Sequence, residues 1–391
     1  QTGTKRKDYY AQLGYSLRGQ NPWGRGGRVN LDMELQKSSL DFDSTVPGGG
    51  DESDVYLRIR RASYAVGGDR DRSRRYHFGR FYSTVMPELG LLDGIEVSER
   101  RGDGLLYGTS IGWQPSYGPE IQFEDAMAIS GWVQRSLGPE FLSSVAAAVQ
   151  KTWFHGKPDR DWMLFKGTYA NRGPWSAHGS VSFDLYDSED IAKSTGFETT
   201  EYRMRVKRDL GRETGVALYH SMTRFPEVRR SLPVDYAVGQ VSTAQTFRTG
   251  INGWKPISDR RSLSGRYEFW SDENADGGYT EVSLDTRLDG EFASHWYVSG
   301  FVSNTELADI TALRLGLRGF AKGGSWSTGL DLGQYKQFDT NGVSQSDFQG
   351  SLRGGWTGAI GNQWFLGLDA AVHFGEDRDA YSLGFLLQRS F

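Results

Sequence analysis

The chain has no cysteine. That excludes thiol nucleophiles, thiolate-bound zinc, iron–sulfur clusters and thioether-attached haem. It also suits export through an oxidising periplasm, where a stray thiol is a liability. No run of about 18 apolar residues occurs, so no transmembrane helix is expected. Proline is scarce, at 11 of 391 residues, and no Pro/Ser-rich stretch, heptad region or low-complexity block divides the chain. A basic stripe is also missing. Net charge is −4 and the pI about 6.0, so nucleic acid is not an expected partner. The six histidines, His77, His155, His178, His220, His295 and His373, share no metal-ligand spacing, and no cofactor is expected. His178 shares a face with Ser176, Ser180 and Ser182, but no G-x-S-x-G elbow is present, and the chain reads as a non-enzyme.

Glycine (51 residues), aromatic residues (13%) and arginine (34 of the 45 basic residues) are abundant. Arginine dominance suits fixed, paired or ligand-facing charge better than plain solubility. The mean hydropathy of −0.56 looks like that of a soluble protein. A membrane barrel averages the same way, because only alternate residues face lipid.

The dominant signal is a period of two. In the last eleven residues, YSLGFLLQRSF, Tyr381, Leu383, Phe385, Leu387 and Phe391 share one face, and Ser382, Gly384, Gln388 and Ser390 the other. Leu366, Leu368, Ala370 and Val372 alternate with Gly367, Asp369 and His373. Leu313, Leu315 and Leu317 interleave with Arg314, Gly316 and Arg318. Val282 and Leu284 interleave with Glu281, Asp285 and Arg287; Tyr202, Met204 and Val206 with Glu201, Arg203, Arg205 and Lys207; Val29, Leu31, Met33 and Leu35 with Asn30, Asp32, Glu34 and Gln36. Each segment runs about 10–14 residues, enough to cross a bilayer at a barrel tilt. Gly/Asp/Asn/Pro clusters such as 102–104, 171–174, 209–211, 289–290 and 323–324 punctuate them as hairpin turns.

The fold expected is therefore all-β: a transmembrane, antiparallel, up-and-down β-barrel of about 20 strands, range 18–22. It is read as one domain over 1–391, with 1–7 as a short periplasmic or disordered tail. Twenty turns alternate outside and inside, among them 85–91, 155–161 and 224–241 outside and 101–104 inside. They delimit 21 segments, one more than the even counts of single-chain bacterial barrels, so one segment is expected to be miscounted. The longest loop, 224–241, is modest, and strand pattern begins by residue 8, so neither a plug domain nor a long infolded loop is expected. The absence of an initial Met fits removal of an export signal.

The terminal Phe391 behind alternating Phe385 and Leu387 resembles the assembly signal of Gram-negative outer-membrane proteins. The stretch 78–94, FGRFYSTVMPELGLLDG, resembles the GR…DG strand pair of outer-membrane porins and related export barrels. The resemblance implies a porin-like or export barrel inserted by the outer-membrane assembly machinery and surrounded by lipid bilayer and lipopolysaccharide. If the leucines face lipid, parity sends Arg58, Arg60, Arg203, Arg205, Arg266, Arg287, Arg314, Arg318 and Arg353 to the lumen. It sends Glu268, Glu281, Asp285, Asp331 and Asp369 there as well. Such a wet, mixed-charge bore reads first as a channel for hydrophilic solutes. The alternatives are a scaffold seating a partner or plug protein (a secretion component, surface lipoprotein or multihaem cytochrome) and a polysaccharide export barrel.

Overall fold

A computed structural model describes residues 7–24, 26–41, 51–68, 72–102, 104–115, 126–138, 142–187, 190, 193–228, 244–273, 275–288, 294–305, 308–321, 323–338, 344–361, 363–375 and 379–389. Their strands form one sheet of the antiparallel, up-and-down β-barrel class. In chain order the first ten are β1 (Lys7–Gln20), β2 (Arg28–Asp41), β3 (Asp51–Gly67), β4 (Arg74–Tyr82), β5 (Leu91–Arg100), β6 (Leu105–Trp113), β7 (Ala126–Leu137), β8 (Ser143–Phe154), β9 (Lys157–Ala170) and β10 (Trp175–Tyr186). Then come β11 (Gly196–Gly211), β12 (Thr214–Arg224), β13 (Gln245–Ser258), β14 (Arg261–Ser271), β15 (Asp276–Arg287), β16 (His295–Thr305), β17 (Ala308–Ala321), β18 (Gly324–Phe338), β19 (Ser344–Ile360), β20 (Trp364–Gly375) and β21 (Ala380–Arg389). One 3-10 turn, Pro87–Leu89, lies between β4 and β5.

The described strands number 21, so none of the 21 sequence segments was miscounted. Evenness is a tendency of single-chain barrels, whereas turn chemistry is local and was read directly. Several connections are shorter than the turns expected from sequence, the largest difference being at 155–161. The connection expected over 155–161 is the two-residue turn His155-Gly156, both with positive φ, and β9 begins at Lys157. Expected turn 224–241 lies largely outside the described residues.

The chain divides into two compact units. One comprises Gln1–Phe165, Phe183–Glu198 and Glu227–Val241; the other comprises Lys166–Ser182, Thr199–Pro226 and Ser242–Phe391. In the second unit the register explains the alternation. Leu263, Leu284, Val298, Leu315, Leu330, Leu352, Val372 and Tyr381 are successive cross-strand partners from β14 to β21, one unbroken apolar row. The row is not packed away: Leu352 is 50% and Tyr381 76% exposed. A water-soluble sheet would bury such a belt. Trp296, Trp326, Trp356 and Trp364 lie on the same face, near one common end of β16, β18, β19 and β20. That is the placement of an interfacial aromatic girdle.

The glycine excess has a packing cause. Gly215, Gly250, Gly277, Gly316 and Gly350 stand directly opposite Trp254, Tyr219, Trp270, Tyr297 and Phe374. A Cβ at any of the five would lie within 2.1–2.3 Å of the opposing ring. Each aromatic ring therefore covers bare backbone, which locks its rotamer.

Leu366 is opposite Leu387 on the apolar face. Leu366→Arg is expected to cost about 2–4 kcal/mol of folding free energy near mid-membrane. Equilibrium folding into lipid vesicles checks this; a neutral substitution would mean the side chain does not meet hydrocarbon.

Candidate functional site

The polar face of the second unit carries a cross-strand charge ladder. Arg314 donates to Asp331 at 2.9 Å, and Arg353 reaches the other Asp331 oxygen at 3.2 Å. On β14, three strands before Arg314, Glu268 is held by three donors. Arg266 and the Tyr219 hydroxyl both donate to it, and Arg248 pairs with it at 3.0 Å. Arg266 also lies over the rings of Tyr219 and Tyr279, 5.7 and 5.6 Å from their centroids, a cation–π arrangement. Tyr279 donates to Glu281 at 2.9 Å, and Asp285 contacts His295 at 2.9 Å. Arg203 pairs with Glu201. Arg205 borders a recess of about 470 Å³ with Tyr219, Trp254 and Arg266. Arg318 and Asp369 border another, of about 670 Å³, with Phe320 and Leu386. Arg287 ends β15, opposite His295.

These residues share the parity opposite to the exposed Leu313, Leu315, Val282 and Met204. In the first unit Arg58 stands opposite Glu34, while Arg60 forms an ion pair with the buried Glu34. A bulge between Asp32 and Met33 shifts the β2–β3 register there, so that Asp32 faces Arg61. Phe385 and Leu387 are exposed on the apolar face of β21; Phe391 lies outside the described residues. Tyr219, Arg248, Trp254 and Tyr279 join the ladder but were not singled out from sequence. Their parity follows from the same alternation, but charge does not mark Tyr219, Trp254 and Tyr279.

In the first unit the turn expected over 85–91 does not stand clear of the sheet. A short connection, not a long loop, folds onto the sheet. After β4, residues 83–90 turn back over the polar parity of β7–β9. Met86 and Leu89 are buried against Trp132, Ala148, Trp162 and Leu164. Gln150 donates to the Leu89 carbonyl at 2.9 Å and accepts from the Trp162 indole at 2.6 Å, so the segment is tied by hydrogen bonds as well as by apolar contact. Beside it, Phe81, Leu92 and Ala128 form a second small core, and His77 stacks on Phe81. The polar face here is a packed interior, unlike the charge ladder of the second unit.

The GR…DG stretch proves to be the base of this infolded segment. Its four residues are two cross-strand pairs, Gly79 with Gly94 and Arg80 with Asp93. Arg80 grips Asp93 in a two-point bond, 2.7 and 2.5 Å, and its third nitrogen donates to the Ile59 carbonyl at 2.8 Å. Both side chains are largely buried (11% and 14% exposed), although they share the apolar parity of Phe78 and Ile95. Gly79 has φ +96°, and a Cβ there would meet the Ala62 carbonyl at 2.2 Å. Gly94 and Gly112 are opposed, with no room for a Cβ on either. Three registered glycines thus bring β4, β5 and β6 close beneath the segment.

No known family model matches the chain, and no curated protein matches its sequence. Solved structures do resemble it. The translocation pore of the P pilus usher PapC superposes with a TM-score of 0.53 at 11% identity, covering 98% of this chain and 95% of that one. PapC in an Escherichia coli P pilus tip assembly intermediate with PapD, PapK and PapG gives 0.50 at 10% identity, over 97% of this chain and 60% of that one. A bacterial polysaccharide outer-membrane secretin gives 0.36 at 9% identity, a likeness on which nothing rests. The chain has the fold of an outer-membrane β-barrel.

Proposed function

We propose that the chain is a single-domain, non-enzymatic channel of the Gram-negative outer membrane, with its polar strand faces lining a water-filled bore. The apolar row from Leu263 to Tyr381 then meets lipid and lipopolysaccharide, and the outer-membrane assembly machinery inserts the barrel. The observation that carries this reading is the segregation of charge and grease by parity over consecutive strands. Arg314, Asp331 and Arg353 cluster on one face while the cross-strand leucines beside them are exposed on the other. The whole-length likeness to a translocation pore supports it at the level of fold. Purified barrel in a planar bilayer should give stepwise conductance; a folded but silent barrel would sink the proposal.

The ladder mixes signs, so strong ion selectivity is not expected. Replacing Arg314, Arg318 and Arg353 together with Ser should leave folding largely intact and shift preference towards cations. Reversal potentials across a salt gradient read this directly, and an unchanged potential would place these side chains off the ion path.

A second reading is a sheath that seats a partner protein. It is favoured by the fold likeness to an usher that has been seen together with PapD, PapK and PapG. Cross-linking in native membranes followed by mass spectrometry separates the two: recovery of only the bare barrel counts against a seated partner.

A further inference from the structure

The recess beside Arg205 is a built site on the polar face of β11–β15, and its donors divide into two classes. Arg266 and Arg248 are engaged by Glu268, and the Tyr219 hydroxyl is engaged by the same carboxylate. Arg205, Asn252, Ser264 and Ser283 also border the recess, and their side chains make no hydrogen bond or ion pair among the described residues. The walls are stiff. Trp254 and Tyr219 lie over the bare backbone of Gly215 and Gly250, so neither ring can collapse into the space. The volume, about 470 Å³, is within the range of roughly 300–1,000 Å³ usual for small-molecule sites.

We infer that this recess binds an acidic oligosaccharide, a chain of pyranose units bearing carboxylates. The inference rests on the polar face lining a wet bore. Three features select that chemistry. The rings of Trp254 and Tyr219 add apolar surface to the walls, with Lys207 5.2 Å from the Trp254 centroid and Arg266 5.7 Å from that of Tyr219. The free amide and hydroxyls of Asn252, Ser264 and Ser283 suit a ligand rich in hydroxyl groups. The charges in and beside the recess are Arg205, Lys207, Arg248 and Arg266 against Asp209, Glu268 and Glu281, an excess of one positive charge. Arg205 is the guanidinium left to grip a carboxylate by two parallel bonds. Glu281 accepts readily from a sugar hydroxyl.

The test uses the full chain in detergent, titrated with trigalacturonate and, separately, with the neutral trimer maltotriose, by calorimetry and tryptophan fluorescence. Trigalacturonate should bind at least about tenfold more tightly than maltotriose. Arg205→Gln should remove most of that preference, because charge-assisted bonds are about twice as strong as neutral ones. The substitution breaks no ion pair among the described residues, and circular dichroism verifies that the barrel is folded. Asn252→Ala should weaken both trimers several-fold. Equal binding of the two trimers, no binding of either, or an Arg205→Gln variant that keeps the preference would overturn the inference. Binding is read without conductance. A conducting barrel that ignores the trimers defeats this inference alone, and a silent barrel that binds them defeats the channel reading alone.

Discussion

Replacing Met86 and Leu89 together with Asp is expected to lift residues 83–90 off the sheet and raise single-channel conductance several-fold. Met86 is fully buried and Leu89 6% exposed, both inside the cluster with Trp132, Trp162 and Leu164. A buried, unpaired carboxylate costs several kcal/mol or more, and two of them exceed what a segment of about eight residues gains from its contacts. The strands themselves retain their ladder hydrogen bonds, so the response is local release rather than unfolding. Leu89→Ala alone should cost about 2–5 kcal/mol through the cavity it leaves, with a smaller change in current. Limited proteolysis supplies the second readout, because released 83–90 becomes cleavable. New cleavage with unchanged conductance would show that the segment covers the sheet without standing in the ion path. Neither change occurring would mean that the segment does not fold onto the polar face.

Breaking the Arg80–Asp93 pair from one side should be strongly destabilising. Arg80→Gln or Asp93→Asn alone is expected to cost about 3–5 kcal/mol, because each leaves a largely buried charge without its partner. Replacing both with Leu should restore most of that loss, since two apolar side chains on a face shared with Phe78 and Ile95 need no counter-charge. Arg80 also donates to the Ile59 carbonyl, so the double variant should stay somewhat below wild type. Urea titration of the vesicle-folded protein in a double-mutant cycle measures the coupling. Additive single effects would show that the two-point bond contributes nothing beyond its parts.

Much of this was legible along the chain, and the reason is geometric. A strand has a side-chain period of two, so the alternation of Leu313, Leu315 and Leu317 with Arg314 and Arg318 sorts them onto two faces before any partner is known. Hairpin turns are local and rest on Gly, Asn, Asp and Pro, so the connections could be placed from sequence, with lengths overestimated most at His155-Gly156. What the chain order could not supply was register. Only pairing shows that Gly79 meets Gly94 and Arg80 meets Asp93, which turns a short motif into the clamp beneath an infolded segment. Only pairing shows that Trp254 lies over Gly215 and Tyr219 over Gly250, the contacts that hold the recess open. Residues 83–90 read as an ordinary turn, since Met86 and Leu89 show no period against which a buried face could be recognised. Their destination was decided by the indole rings of Trp132 and Trp162, which stand on strands far along the chain and need apolar cover on a face that parity alone would have left to water.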